Sequence, residues 1–215
     1  TRTLKEGVRP VDSSKNAIVS PVDARIDQFG RIESGALIQA KGIAYSLEGL
    51  IPSKRHSVFL DGDFITLYLS PSDYHRIHSP VDGIIEGFLH VPGKLFTVQE
   101  AMVSSMPRLF EINERIITFI RTARGMAAVC KVGATNVGRI SLSYENIFTN
   151  KAFRSKREKM YTQSDMKKIS RGQEIGVFNL GSTVIVLFEK NMIRFTECEL
   201  GKKVKFGEKI GELRK

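Results

Sequence analysis

Gly181-Ser182, within Val177-Phe-Asn-Leu-Gly-Ser-Thr-Val-Ile-Val-Leu-Phe188, places a serine hydroxyl directly after a glycine carbonyl and between two strand-like runs. A serine so placed can attack the backbone carbonyl that precedes it, which would make the chain a precursor that cuts itself. Its hydroxyl is a poor nucleophile until a base removes the proton, so such chemistry needs a histidine, and the histidine needs an orienting carboxylate. His75 and His78 lie in Leu69-Ser-Pro-Ser-Asp-Tyr-His-Arg-Ile-His-Ser-Pro80, directly after a strong strand pattern. Their spacing brings both into one pocket if the segment turns helically. His56, after Lys54-Arg55, and His90, beside Val91-Pro92-Gly93, read as structural or exposed. Asp23 is the best candidate carboxylate, with Asp82 as its rival. No third ligand accompanies the paired histidines at a recognisable spacing, so a metal centre is not expected.

The elements that must hold these residues read as strands. Phe64–Leu69, Ile116–Ile120, Met126–Val132 and Ser182–Phe188 are short runs rich in β-branched and aromatic residues between glycine and proline punctuation. Helical periodicity is weak, with short candidates at Ala44–Leu50 and around Phe110–Asn113. Two repeats point to internal duplication. Ser20-Pro-Val-Asp23 recurs as Ser79-Pro-Val-Asp82, and Lys167-Lys-Ile-Ser-Arg-Gly-Gln-Glu-Ile-Gly176 is echoed by Lys202-Lys-Val-Lys-Phe-Gly-Glu-Lys-Ile-Gly211. The second pair is similar to the hairpins of biotinyl and lipoyl carrier domains, although no lysine stands in the Met-Lys-Met-like context of a carrier. The expected fold is therefore mainly β: duplicated, barrel-sandwich hybrid-like sheets with a few short helices, in a single domain spanning residues 1–215.

With 215 residues and 41% hydrophobic content, the chain can bury a substantial core. Its longest apolar run near Ser182, Val184–Phe188, is far shorter than the roughly 18 residues of a membrane-spanning helix. Thr1–Gly7 lacks the apolar core of a secretory signal. Cys130 and Cys198 have no zinc-like spacing and read as two buried reduced thiols. A formal charge of +10 implies attraction to polyanions. Nucleic acid is not the expected partner, because neither a recognition helix nor a sheet with interleaved aromatics is legible. The basic stretch from Lys151 to Tyr161, continued by Lys167, Lys168 and Arg171, reads either as a solvated loop or as an anionic-lipid contact, the latter kept open by Phe153, Met160 and Tyr161.

Together, Ser20-Pro-Val-Asp23, Gln39-Ala-Lys-Gly-Ile-Ala-Tyr-Ser-Leu-Glu-Gly-Leu50, Tyr74-His-Arg-Ile-His78, Asn113-Glu-Arg115, Val132-Gly-Ala134 and Leu180-Gly-Ser-Thr183 resemble the phosphatidylserine decarboxylases. These are self-processing, pyruvoyl-dependent enzymes of phosphatidylethanolamine synthesis, and the resemblance covers essentially the whole chain. Leu-Gly-Ser-Thr alone is weakly specific; in this order with Tyr-His-Arg-x-His it is highly specific. The resemblance implies a self-cleavage triad of Asp23, His78 and Ser182, with His75 as a second pocket histidine that contacts the substrate carboxylate or delivers a proton. It implies cleavage at Gly181-Ser182 into chains 1–181 and 182–215 that stay associated, with a covalent pyruvoyl group made from Ser182 acting as electron sink. The implied substrate is phosphatidylserine in an anionic membrane surface. Peripheral attachment at the cytoplasmic face of the cell membrane and a homodimer are expected with it. One departure is that the family commonly has glycine after the triad aspartate, whereas Asp23 precedes Ala24 and the glycine form stands at Asp82-Gly83. Other readings are a pyruvoyl decarboxylase of a related serine lipid or soluble amino acid, and a non-enzymatic barrel-sandwich carrier or phosphocarrier.

Overall fold

The computed structural model describes residues 3–5, 7–40, 42–135, 139–150, 155–178 and 182–214. The runs rich in β-branched residues become the centre of a nine-stranded sheet. Thr183–Phe188 is buried at every position, because Asp63–Tyr68 and Gly125–Val132 pair with its two edges and both of its faces are covered. A strand enclosed in this way gains from an unbroken apolar run rather than from alternation. Ala24–Arg31 and then Lys203–Val204 continue the sheet beyond Asp63–Tyr68. On the other side follow Arg115–Thr122, Gly83–Val91 and, on Gly83–Val91, the two edge segments Arg157–Met160 and Lys167–Ile169. Two three-stranded sheets accompany it: Ala17–Val19, Lys209–Leu213 and Ile193–Phe195 in one, and Arg76–His78, Glu174–Phe178 and Ile140–Leu142 in the other. The sheets are antiparallel ladders, and among the described residues they do not close into a barrel. The expected mainly β class is what the chain adopts.

The duplication read from the repeats is present down to single hydrogen bonds. Ser20 Oγ donates to the Val22 carbonyl at 2.7 Å, and Ser79 Oγ donates to that of Val81 at 2.6 Å. The Ser20 amide donates to Glu208 and the Ser79 amide to Gln173, both at 2.8 Å. The two copies also cross, since the Val19 amide donates to Pro80 at 3.1 Å and the His78 amide to Pro21 at 2.9 Å. Each second repeat turns at a glycine, Gly172 at φ +82 and Gly207 at φ +88, conformations that side-chain-bearing residues rarely adopt. Both turns lie beneath the amino-terminal segment, so that a Cβ would come within 2.6 Å of Val11 at Gly172 and of the Pro10 carbonyl at Gly207.

Helices form at Leu47–Leu50 and Leu109–Ile112, as expected, and also at Glu100–Val103 and Lys54–Phe59, the last a 3-10 helix. Two quoted motifs serve to clamp these pieces. Arg115 is buried and its guanidinium donates to the carbonyls of Gly49, Leu50, Glu111 and Asn113. Gln39 Nε2 donates to the Val103 and Met106 carbonyls while its Oε1 accepts from the Leu109 amide.

Several details correct the sequence reading. The basic stretch is not a loop throughout, since Arg157–Met160 and Lys167–Ile169 are lysine-bearing edge strands, a composition that discourages pairing with other chains. Residues 151–154, Phe153 among them, lie outside the described residues. Tyr161 is buried and donates to Glu145 Oε2 at 2.8 Å, and Met160 packs on the core, so neither projects as a lipid contact. Cys130 is buried, but Cys198 is only half-buried. His90 is buried against Glu114, its Nε2 2.9 Å from Oε1. His56 is partly buried and holds the Ser53 carbonyl.

Lys131 is wholly buried, with Nζ donating to Thr118 Oγ1 at 2.5 Å and to the Val129 carbonyl at 3.2 Å, and no carboxylate among the described residues pairs with it. Burial drives its pKa from 10.5 down to about 7. The unfolded chain therefore holds this proton more tightly between about pH 7 and 10.5, and stability must rise with pH across that window. Lys131→Met should abolish that slope and stabilise the protein at pH 7 by roughly 1–4 kcal/mol. Urea unfolding at pH 7 and pH 9 checks this, and parallel pH dependences for variant and parent would contradict it.

Candidate active site

The duplication also fixes where the site forms. In the second copy, Arg121 pairs with Ile84 and with Met126, and the strands join directly through a tight hairpin closed by the Thr122–Gly125 pair. In the first copy, Tyr68 pairs with Arg25 and with Thr183 in the same way, so Leu69 and Ser182 occupy the places of Thr122 and Gly125. Here the hairpin is open. Leu69 runs on into the loop that carries Tyr74 and His75 and then into the strand that ends at His78, and the chain re-enters at Ser182. Gly181 and Leu180 lie outside the described residues.

Ser182 is fully buried, and its backbone is held on both sides by Leu69: the Leu69 amide donates to the Ser182 carbonyl at 2.8 Å and the Ser182 amide donates to that of Leu69 at 3.3 Å. Its Oγ has no hydrogen-bond partner among the described residues. Across the same opening, the His75 carbonyl accepts from the Phe178 amide at 2.9 Å, which closes the far end of the loop. His75 Nδ1 lies 2.6 Å from the Asp73 carbonyl. A carbonyl can only accept, so Nδ1 donates here and Nε2 is the ring nitrogen left over. That Nε2 is also buried and without a partner among the described residues.

His78 is fixed in the same tautomer. Its Nδ1 donates to the Gly172 carbonyl at 2.8 Å, and its Nε2 accepts from the Tyr74 hydroxyl at 3.1 Å. The Phe206 ring stacks on the imidazole, with centroids 3.7 Å apart. Burial lowers the pKa of His78, outweighing the Gly172 hydrogen bond and the nearby charges of Glu174 and Asp23 that raise it. The imidazole is thereby a neutral base at neutral pH.

Asp23 is buried beside this pair without touching His78 Nδ1. Its Oδ1 accepts from the Phe206 amide at 2.8 Å, and Arg9 grips both oxygens, Nε to Oδ1 at 3.2 Å and Nη2 to Oδ2 at 2.8 Å. Lys205 Nζ stands 3.6 Å from Oδ2. Burial acts to raise the carboxyl pKa, but the Arg9 and Phe206 hydrogen bonds and the cations outweigh it and hold the group below the usual range. Asp23 thus meets His78 through Phe206, whose amide it fixes and whose ring covers the imidazole. Asp82, its counterpart in the second copy, is exposed and accepts from the Arg171 amide at 2.8 Å, with no histidine at the corresponding place because Val19 stands where His78 does.

Tyr74, Gly172, Phe206 and Arg9 went unassigned in the sequence. Tyr74 had a local signal, since it precedes His78 in the quoted Tyr-His-Arg-Ile-His motif. The other three come from remote segments, and no spacing rule connects them to His78 or Asp23.

Residues 1–212 match the family model described as phosphatidylserine decarboxylase. A protein of Myxococcus xanthus (strain DK1622) called phosphatidylserine decarboxylase proenzyme is 40% identical over 213 residues, which is 98% of this chain and 75% of that protein. Proteins of the same name from Coxiella burnetii (strain RSA 331 / Henzerling II) and Vibrio cholerae (classical strain O395) are each 44% identical, covering 98% and 96% of this chain and 75% and 74% of theirs. The buried Ser182, the paired histidines and this agreement along nearly the full length place the chain in the phosphatidylserine decarboxylase family.

Proposed function

We propose that the chain is made as a precursor that cleaves itself between Gly181 and Ser182 and then converts phosphatidylserine to phosphatidylethanolamine and carbon dioxide. The observation that carries this reading is the Ser182 hydroxyl, buried with no hydrogen bond to give up among the described residues and lying in the opening that two Nδ1-protonated histidines border. The names of the relatives agree with it, since each is a decarboxylase proenzyme.

In the first step, His78 acts as the base that removes the proton of Ser182 Oγ, and Oγ attacks the Gly181 carbonyl carbon. The carbon–nitrogen bond breaks, the Ser182 nitrogen takes a proton and an ester replaces the amide. Removal of the Ser182 α-proton then expels the ester oxygen with its electron pair, leaving residues 1–181 with a free carboxylate on Gly181. The dehydroalanine left at position 182 tautomerises and is hydrolysed, losing its nitrogen as ammonia and becoming a pyruvoyl group. Asp23 favours the first step at a distance, because its negative charge raises the proton affinity of His78 and its grip on the Phe206 amide holds the ring that covers the imidazole.

Ser182 suits that fate: it is buried, and the Leu69 amide holds its carbonyl in place. When formed, a pyruvoyl group supplies the electron sink needed to release a carboxylate. We assign His75 Nε2 to hold the proton that replaces the departing carboxylate. The net charge of +10 favours peripheral docking on anionic lipid, at the cytoplasmic membrane face. No helix among the described residues is long and apolar enough to cross a bilayer. The two chains remain together after the cut, because Thr183–Phe188 sits at the centre of the large sheet between strands of the other fragment.

Expressed protein should run as two bands on a denaturing gel and Ser182→Ala as one; cleavage that persists in the alanine variant would overturn the assignment of the nucleophile. Because burial lowers the His78 pKa below 6.5, the midpoint at which self-cleavage is lost on acidification should lie below pH 6.5. A rate limb centred above 6.5, followed by gel after refolding at each pH, would contradict that role for His78. Binding to phosphatidylserine vesicles should weaken as salt is raised from 0.05 to about 0.5 M, where the Debye length falls below roughly 5 Å; binding indifferent to salt would count against electrostatic docking.

A further inference from the structure

A cavity of about 210 Å³ opens beside the Ser182 loop, lined by Arg25, Tyr68, Ser70, Ser72, Lys203 and Lys205 among others. Its walls are the segments that carry the site. Tyr68 pairs with Thr183, Ser70 follows the Leu69 that holds Ser182, and Lys205 faces Asp23. Asp73, also in the wall, offers its carbonyl to His75 and its carboxylate to the Ser70 amide at 2.8 Å.

We infer that this cavity binds the phosphodiester of the substrate headgroup and so sets the preference for a phospholipid over a free amino acid. The inference rests on the decarboxylase reading above and adds the group that reading leaves unplaced. Three cations line the cavity against one carboxylate, that of Asp73. Lys203 is exposed and has no ion pair among the described residues. Lys205 has only the 3.6 Å approach to Asp23, a carboxylate already gripped by Arg9. Arg25 is less available. It is spent on Asp27 at 2.8 Å and Glu100 at 3.3 Å, and it lies 5.5 Å from the Tyr68 ring centroid. Ser70 Oγ and Ser72 Oγ are 3.1 Å apart. One of those hydroxyls must donate to the other, which leaves the second free to donate to a phosphate oxygen. Lysine is well suited to such a group as a mobile point charge.

Size fits the same ligand. Pockets that enclose a drug-sized molecule run to roughly 300–1,000 Å³. A cavity of about 210 Å³ holds a polar headgroup and leaves acyl chains outside. The serine moiety of a phosphodiester seated here would lie along the Leu69–Asp73 loop, whose ends hold Ser182 and His75.

The test uses the uncut Ser182→Ala chain, so that binding is read without turnover. Glycerophosphoserine, a soluble phosphodiester, is titrated by calorimetry into Ser182→Ala alone and with Lys203→Glu added. The charge reversal should weaken binding at least fivefold, while Lys190→Glu, a reversal at an exposed lysine paired with Asp61, should not. Inorganic phosphate should compete and free serine should not; the diester must bind more tightly than inorganic phosphate for the site to be a headgroup site. In self-cleaved protein, Lys203→Ala should raise KM for phosphatidylserine in neutral detergent micelles by a similar factor, with kcat within twofold and cleavage on gels unchanged. Equal affinity of the Lys203 variant and its parent, or a loss seen only on anionic vesicles and not in neutral micelles, would overturn the inference. Diester binding that depends on Lys203 in a chain that never decarboxylates would keep the phosphodiester site and overturn the decarboxylase reading instead.

Discussion

A serine hydroxyl closed off from water without a hydrogen-bond partner carries a cost of about 1–3 kcal/mol, and Ser182, just ahead of the central strand of the largest sheet, has no partner among the described residues. Folded proteins avoid such groups unless the atom has another use. The surrounding structure keeps this one in place. Leu69 binds the serine backbone from one side, Thr183 continues into a strand buried along its whole length, and the far end of the opening is pinned where Phe178 meets His75. In the proposed self-cleavage, a nucleophile with no hydrogen bond to surrender among the described residues needs only a base, the part assigned to His78, whose Nδ1 is bonded to the Gly172 carbonyl and whose pKa burial lowers.

Duplication explains how one fold came to hold a tight hairpin and the proposed reactive site in equivalent places. The second copy joins its strands at Thr122–Gly125, while in the first the same position is split, and both free ends are used. One end carries the histidines and the other brings in the serine. The copies differ at the decisive positions: Gly125 stands in place of Ser182, Val19 in place of His78, and exposed Asp82 in place of buried Asp23. The fold is twofold in its backbone and single in its chemistry.

Much of this was legible in the chain itself. The four strongest strands were visible because a wholly buried strand must be a continuous apolar run, and the duplication was visible because each copy needs the same Ser-Pro-Val-Asp turn and the same glycine at positive φ. Ser182, His75 and His78 were singled out because the chemistry proposed for them restricts residue type. The immediate partners of the two imidazoles were not legible. Backbone carbonyls orient both imidazoles, and a carbonyl leaves no trace in a sequence. Arg9 and Phe206 reach Asp23 from the two ends of the chain, through contacts that no local pattern encodes. In the basic stretch the described charges are exposed, as a solvated reading expects, but they stand on edge strands rather than in a loop, and Met160 and Tyr161 turn toward the core.

Buried lysine, arginine and aspartate groups show that this core is not built from apolar contact alone. Arg115 is satisfied by four carbonyls that tie two short helices together, and Asp23 by an arginine and an amide. These groups fix the relative placement of segments far apart in sequence, which is what the proposed site, drawn from several of them, requires. The intact mass of purified, active protein tests the central claim most directly. The account predicts two polypeptides: one ending in a free carboxylate at Gly181, and one beginning at position 182 and lighter by one ammonia than the same fragment with an amino-terminal serine. A single unbroken chain in material that decarboxylates would contradict it.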